Sequence, residues 1–284
     1  MKKLYTFTIL LAFLALIVNA QNSLKQNQRI TTDFEKGTAF EYNTVSAPAA
    51  GPVKTETDGK GASLNWQATD TRAIVNYVKV SGQNLKSACA WGLNDQRVSV
   101  YNNTSDIPLW EKFCPISSWD EVIDMTSDGT LTASGFDSAF QIYNTGTGAV
   151  VWEQTTENCV KGIQITDDGQ KVFVATFNFA TQADSYLACY QIGQSVPLWF
   201  KAFTGNFTAL SASKSGNRVV FCEYGGPVNK MFVFDGATGD QLFEAPFQNQ
   251  NPPGISNDGK YIVSGDYSGF ILSLIHISEP TRPY

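Results

Sequence analysis

From residue 73 onward the chain is written in short apolar runs separated by Gly, Asp, Asn and Ser. The first four are AIVNYVKV, LKSACAW, QRVSVYN and PLWEKF. Each is rich in β-branched and aromatic residues and bounded by turn formers, the pattern of β-strands. The stretch Ser127 to Glu153, SDGTLTASGFDSAFQIYNTGTGAVVWE, repeats the same grammar: turn, apolar strand, aromatic turn, second strand, Gly-rich turn, and a third strand ending on Trp152. Asp128-Gly129, Asp168-Gly169, Ser215-Gly216 and Asp258-Gly259 mark the first hairpin of successive copies. A tight hairpin turn places one residue at positive φ, where glycine is at no disadvantage. The aspartates beside these glycines read as turn residues rather than metal ligands.

Two independent markers share one period. The turn glycines Gly129, Gly169, Gly216 and Gly259 stand 40, 47 and 43 residues apart, and the closing aromatics Trp110, Trp152, Trp199 and Phe243 stand 42, 47 and 44 apart. A repeat of about 43 residues holding four candidate strands is a propeller blade. The pattern therefore predicts an all-β fold, a β-propeller of four-stranded antiparallel blades. Four complete blades are expected between Arg72 and Phe247 (from about Arg72, Trp119, Cys159 and Asn206), with the pattern breaking off inside a fifth. Asp58 to Trp66 aligns without gaps on Asn144 to Trp152, and Trp66 lies 44 residues before Trp110. Leu64 to Ala68 is thus expected to be the outer strand of a blade whose inner strands lie elsewhere.

Composition adds an address and removes some partners. Met1 to Ala20 has two lysines, an apolar run of about 15 residues and a Val18-Asn19-Ala20 cleavage site, as a secretory signal does, and is short for a membrane span of roughly 20 residues. A secreted, periplasmic or extracellular protein with no membrane insertion after cleavage is expected. Residues 21–61 read as an irregular linker, 62–271 as the partial propeller. The net charge is −6, and −8 without the first twenty residues, which argues against nucleic acid. Cys89, Cys189 and Cys222 lie inside apolar strand patterns, while Cys114 and Cys159 follow closing strands. Buried small hydrophobes is one reading of them; a Cys114–Cys159 bridge between repeats is the other.

The run VFDGATGDQLF, Val233 to Phe243, resembles the repeat of pyrroloquinoline-quinone-like propellers, in which a strand, Asp, Thr-Gly and Trp recur. Phe243 stands where that family has Trp, and Asn144 stands for Asp in the copy that keeps Thr147-Gly148 and Trp152. In that family the Trp packs between blades. WD-repeat propellers are the neighbouring resemblance, here without their Gly-His and Trp-Asp signatures. The quinone enzymes carry adjacent cysteines and a calcium cluster, which this sequence lacks, so no cofactor and no metal are expected. The final segment, Leu272 to Arg282 (LSLIHISEPTR), resembles a translated transposase-type sequencing-library adapter. We expect residues 272–284 to be an artefactual tail that replaces the rest of the repeat, with His276 no part of the natural protein.

Without another histidine there is no Ser-His-Asp or Cys-His arrangement, and no phosphate-binding or nucleophile-elbow motif occurs. What remains is a periodic aromatic: Trp91, Phe136, Phe177, Tyr224 and Tyr267 each follow the second strand of a repeat, with Phe179 and Trp119 beside them. These rings are expected either to form a ligand-binding rim or to pack against the next blade. Asn102, Asn103 and Asn206 head glycosylation sequons. The expected function is a non-enzymatic binding scaffold for a protein, peptide or carbohydrate. The alternatives are a quinoprotein-like oxidoreductase and the propeller domain of a larger hydrolase.

Overall fold

The computed structural model describes residues 33–34, 38–39, 66–67, 73–83, 85–93, 96–114, 122–178, 180–181, 183–224, 229–246, 252–265 and 271–275. The segment before Trp66 forms a unit of its own, described only by the two-residue strands β1 (Asp33–Phe34) and β2 (Thr38–Ala39), which pair with each other. In the second unit, Trp66–Tyr284, all assigned structure among the described residues is β, and no helix occurs.

Four sheets of four antiparallel strands follow one another along the chain, each in sequence order. The first blade is β3 (Ala73–Val80), β4 (Lys86–Leu93), β5 (Arg97–Asn102) and β6 (Pro108–Phe113). The second is β7 (Ile123–Met125), β8 (Leu131–Gly135), β9 (Ala139–Asn144) and β10 (Val150–Thr155). The third is β11 (Cys159–Ile165), β12 (Lys171–Asn178), β13 (Ala183–Gln191) and β14 (Trp199–Phe203), and the fourth β15 (Asn206–Ala212), β16 (Arg218–Tyr224), β17 (Lys230–Asp235) and β18 (Gln241–Pro246). A fifth sheet has three strands, β19 (Gly254–Ile255), β20 (Tyr261–Gly265) and β21 (Ile271–Ile275). The four expected blades are present.

Side chains alternate along a strand, so an inner strand of a blade meets a different neighbour on each face. Val219 and Phe221 of β16 join the cluster shared with the third blade, while Val220 and Cys222 join the one shared with the fifth. Strands buried on both sides read as unbroken apolar runs; outer strands such as β6 alternate between half-buried and exposed positions. The core is thus divided among four clusters, each bridging two adjacent blades. The first blade shows what an uncovered face looks like. Val78 and Val80 are each 56% exposed, whereas their counterparts Ile123, Met125, Ile163, Ile165 and Leu210 are buried.

A clasp recurs between blades. The closing Trp of one blade meets the aromatic near the end of the third strand of the next: Trp66 on Tyr101 at 5.2 Å, Trp110 on Tyr143 at 5.1 Å, Trp152 on Tyr190 at 6.1 Å and Trp199 on Phe234 at 6.5 Å. The indole N–H of Trp110 donates to the Thr145 carbonyl (2.7 Å), and that of Trp199 to the Gly236 carbonyl (3.1 Å). Beneath these rings lie Gly148 and Gly239, both at positive φ, where an added Cβ would come within 2.8 and 2.7 Å of the indole. Trp66 lies outside any assigned strand, yet its ring sits where a blade-closing Trp sits; Leu64 and Ala68 fall outside the described residues. In the fifth sheet Leu274 occupies the corresponding second-to-last position of the third strand and packs, with Phe243, against the cluster shared by the fourth and fifth blades.

The start of the tail is paired, and one expectation is corrected. Residues 271–275, including the start of the adapter-like tail, do pair: β21 runs antiparallel to β20 from Gly265↔Ile271 to Tyr261↔Ile275, because an Ile/Leu run has the apolar, β-prone character to fill that place. Residues 276–284, with His276, lie outside the described residues. The Cys114–Cys159 bridge does not form, and all five cysteines are free thiols. Cys114 instead lies 3.9 Å from the Tyr143 hydroxyl, and Cys159 faces Asp137.

Candidate functional site

One face of the arc is a belt of turns. Gly129, Gly169, Gly216 and Gly259 all take φ between 63° and 72°. The aspartates preceding three of them are consumed locally: Asp128 accepts from Thr126 and Thr130, Asp168 from Thr166 and Gln170, and Asp258 from Ser256 and Lys260. The bonds to Asp128 and Asp258 favour the ionised form. They hold the Asp128 carboxyl below its usual range, the Thr126 hydroxyl first, and bring Asp258 down to about 2, the Ser256 hydroxyl first. Neighbouring turns are stitched together by Gln83 N–H to Ser127 O, Ser127 N–H to the Asp167 carboxylate, Asp167 N–H to Lys214 O and Ser215 N–H to Asn257 O. Among the described residues no group of three or more His, Cys, Asp or Glu is placed to hold a metal.

Inside the belt lies a charge cluster that sequence reading missed. Asp124 of β7 is almost fully buried; its Oδ2 accepts from Lys214 Nζ and from Ile165 N–H, both at 2.8 Å, and Lys79 Nζ stands 3.5 Å from Oδ1. Lys214 also donates to the Met125 carbonyl at 2.7 Å. One carboxylate therefore ties together the first four blades. Oδ1 is buried without a hydrogen-bond partner and has only the Lys79 ammonium nearby, so the carboxylate is held chiefly through Oδ2.

The periodic aromatics lie on the opposite face, among the turns after the second strands. Trp91, Phe136 and Phe177 are buried: Phe136 and Phe177 sit at the ends of strands covered on both sides, whereas Trp91 lies within β4 on the same face as Val78 and is shielded by Arg97. Phe136 joins the cluster shared with the first blade, Trp91 lies under the Arg97 guanidinium at 4.5 Å, and Lys161 lies over Phe177. Tyr224, 42% exposed, is the ring that reaches solvent; Trp119, Phe179 and Tyr267 lie outside the described residues. Of the sequon residues, Asn102, Asn103 and Asn206 are all half-buried, and Asn102 accepts from the Lys86 ammonium. The structure thus places the described rings in separate blades and does not gather them around one void.

A cavity does open elsewhere, in the wedge between the second and third blades. It measures about 340 Å³, within the range of small-ligand and side-chain pockets. Val174, Thr176 and Ala188 form its floor; Tyr186, Tyr190 and Phe200 form its aromatic wall; Thr155 at the end of β10, with Thr156, Glu157 and Asn158 from the connection to β11, forms a polar rim. Tyr186 and Phe200 stack at 5.1 Å with 28° between their planes. Phe200 is 52% exposed.

Register shows why this wedge is unlike the others. The residue after each closing aromatic pairs with the third strand: Glu111 with Ser99, Glu153 with Gln141, Phe200 with Ala188 and Glu244 with Phe232. Three blades put Glu there and use it. Glu111 takes Arg97 Nε at 3.1 Å and Ser99 Oγ at 2.7 Å, Glu153 takes the Gln141 amide, and Glu244 takes Lys230 and Gln241. Two residues before the Glu's partner stand Arg97 in the first blade and Lys230 in the fourth; the third blade has Tyr186. The ion pair of the first and fourth blades, and the amide–carboxylate contact of the second, give way in the third to a stacked aromatic pair beside a void. The signal was present in the sequence as WEK, WEQ, WFK and FEA, one position past the aromatic used to find the period.

Comparison with known proteins agrees with this architecture. The Cps50 (Swd1) β-propeller domain of Myceliophteria thermophila matches with a TM-score of 0.54 at 12% identity, covering 72% of this chain and 67% of that one. The fold is a β-propeller. A chain of a mitotic checkpoint complex matches equally, with a TM-score of 0.54 and 12% identity over 78% of this chain and 83% of its own length. No family model and no curated protein matches the sequence. At such identity the likeness concerns the fold, and the site rests on its own geometry.

Proposed function

We propose that this propeller is a non-enzymatic binding scaffold whose partner seats a side chain in the wedge between the second and third blades. The observation that carries the reading is the Tyr186–Phe200 pair. Half the surface of a Phe is left in water at a position where the other complete blades have Glu, beside a cavity of about 340 Å³. Exposed aromatics framing a pocket supply large contact area at little entropic cost, and such residues dominate protein interfaces. The architecture favours a partner too: one fold neighbour is, by its name, part of a protein complex, and rigid sheets hold the surrounding loops in place. Secretion, read from residues 1–20, belongs to this proposal, as does a protein or peptide rather than a free sugar as partner. The belt of turn aspartates, each satisfied within its own turn, offers no acid–base pair for a hydrolase.

The test is Phe200→Glu, which writes into the third blade the residue that works in the others. A displayed random dodecapeptide library is selected on the wild-type protein and the winners are titrated against both forms. The proposal expects clones that bind the wild type and lose at least about tenfold on Phe200→Glu, with the melting temperature held within about 2 °C, as for a surface change. Clones that bind both forms equally would remove the wedge as the seat.

A further inference from the structure

We infer that the segment seated in this wedge is an extended peptide presenting an aromatic side chain flanked by Lys or Arg. The inference rests on the proposed binding reading and assigns its ligand chemistry. The pocket's wall is aromatic, Tyr186, Tyr190 and Phe200, and its floor apolar, so the anchor that fills it with offset or edge-on ring contacts is itself aromatic. At its mouth Glu157 is the only charged lining residue, it is exposed, and its carboxylate has no ion-pair or hydrogen-bond partner among the described residues. By contrast Glu111 and Glu244, on the closing strands of the first and fourth blades, are each engaged by a basic group. An unanswered carboxylate at the mouth of an apolar pocket, on a chain of net charge −6, selects a cation beside the anchor and disfavours an acidic flank.

The approach to the pocket fits an extended chain. Among the described residues β14 is the edge strand of its sheet and pairs with β13 alone, so the other side of its backbone can accept a further strand. Ahead of Phe200 along that edge, Val196 and Leu198 are 75% and 51% exposed. They continue the apolar surface away from the pocket for a distance that suits the residues following an anchor.

Three Gly/Ser-rich peptides with central Lys-Trp-Lys, Glu-Trp-Glu and Lys-Ala-Lys distinguish the terms by fluorescence anisotropy. Lys-Trp-Lys is expected to bind at least about tenfold tighter than either of the others. Glu157→Gln is expected to weaken Lys-Trp-Lys by about two- to fivefold, the size of one exposed ion pair, and to leave Lys-Ala-Lys unchanged. Phe200→Glu is expected to abolish the preference for Trp over Ala. Equal binding of Lys-Trp-Lys and Glu-Trp-Glu, or no effect of Glu157→Gln, overturns the basic-flank assignment. If Phe200→Glu still weakens the Trp peptides in that case, the wedge remains the seat and only its ligand chemistry has failed. If Phe200→Glu changes nothing, or if only a neutral oligosaccharide competes at the wedge, the peptide inference is overturned with it.

Discussion

Removing Lys214 should cost more stability than removing the aspartate it serves. Asp124 is buried with its side chain 1% exposed, while Lys214 and Lys79 keep 21% and 27% of theirs in contact with solvent. In Lys214→Met, Asp124 keeps the Ile165 N–H and a lysine at 3.5 Å. A buried carboxylate that loses its close cation is the case in which breaking a pair costs about 3–5 kcal/mol. In Asp124→Asn the charge disappears, the amide oxygen can still accept from Ile165 N–H, and Lys214 keeps the Met125 carbonyl and its access to water. That substitution should cost about 1–3 kcal/mol, the scale of an impaired buried hydrogen bond. In Asp124→Asn/Lys214→Met no charge is left stranded, so the double variant should be less damaged than the sum of the two by about 1–3 kcal/mol. For a protein of this size about 1 kcal/mol moves the melting temperature by roughly 2–4 °C. Circular dichroism melts of the four forms should therefore place Lys214→Met lowest among the single variants. Strict additivity, or a Lys214→Met melt within 2 °C of wild type, would refute the claim that this network clamps the blades.

The inter-blade clasp predicts that Trp110→Ala costs about 2–4 kcal/mol, somewhat under the cost of a fully buried aromatic because its ring is half-buried. Gly148→Ala should be destabilised by both its φ of 70° and the indole 2.8 Å from the new Cβ, whereas Gly193→Ala, at φ 87° with nothing within 4 Å, meets the backbone strain alone; a urea titration should rank Gly148→Ala clearly below Gly193→Ala. Burial pushes the Cys89 and Cys114 thiols up to about 11 and that of Cys189 to about 12 from a reference of 9.0. The fold therefore favours the protonated thiols. Their contribution is unchanged below pH ~9 and is lost as pH rises toward 11–12, because the unfolded chain releases those protons first. Ellman's reagent at pH 8 should find these three thiols unreactive in the native protein and reactive in urea, while rapid native labelling would contradict their burial.

The fold was legible because its constraints are local and repeated. Gly129, Gly169, Gly216 and Gly259 all have the positive φ that their hairpins demand, and Trp110, Trp152 and Trp199, which mark the period, make equivalent inter-blade contacts. The binding surface was harder to read because a period identifies equivalent positions without saying which face of a strand they occupy. Trp91, Phe136 and Phe177 share a period, yet all three rings are buried, Phe136 and Phe177 between blades and Trp91 under Arg97. The wedge is the opposite case, since its mark is a departure from the repeat, Phe200 in place of Glu, and a search for recurrence passes over it. The Asp124 cluster was beyond reach for a different reason: its lysine lies 90 residues away, and only the closing curve of successive blades brings the two charges to 2.8 Å.

Hydrogen exchange of the propeller with a peptide selected on it tests most directly whether function sits in the wedge. The account predicts slowed exchange in residues 155–158 and along β13 and β14 from 186 to 203, with Phe200→Glu abolishing that protection. Protection confined to the belt of turns around Gly129, Gly169 and Gly216, or to the turns bearing Phe136 and Tyr224, with the wedge unchanged, would contradict it.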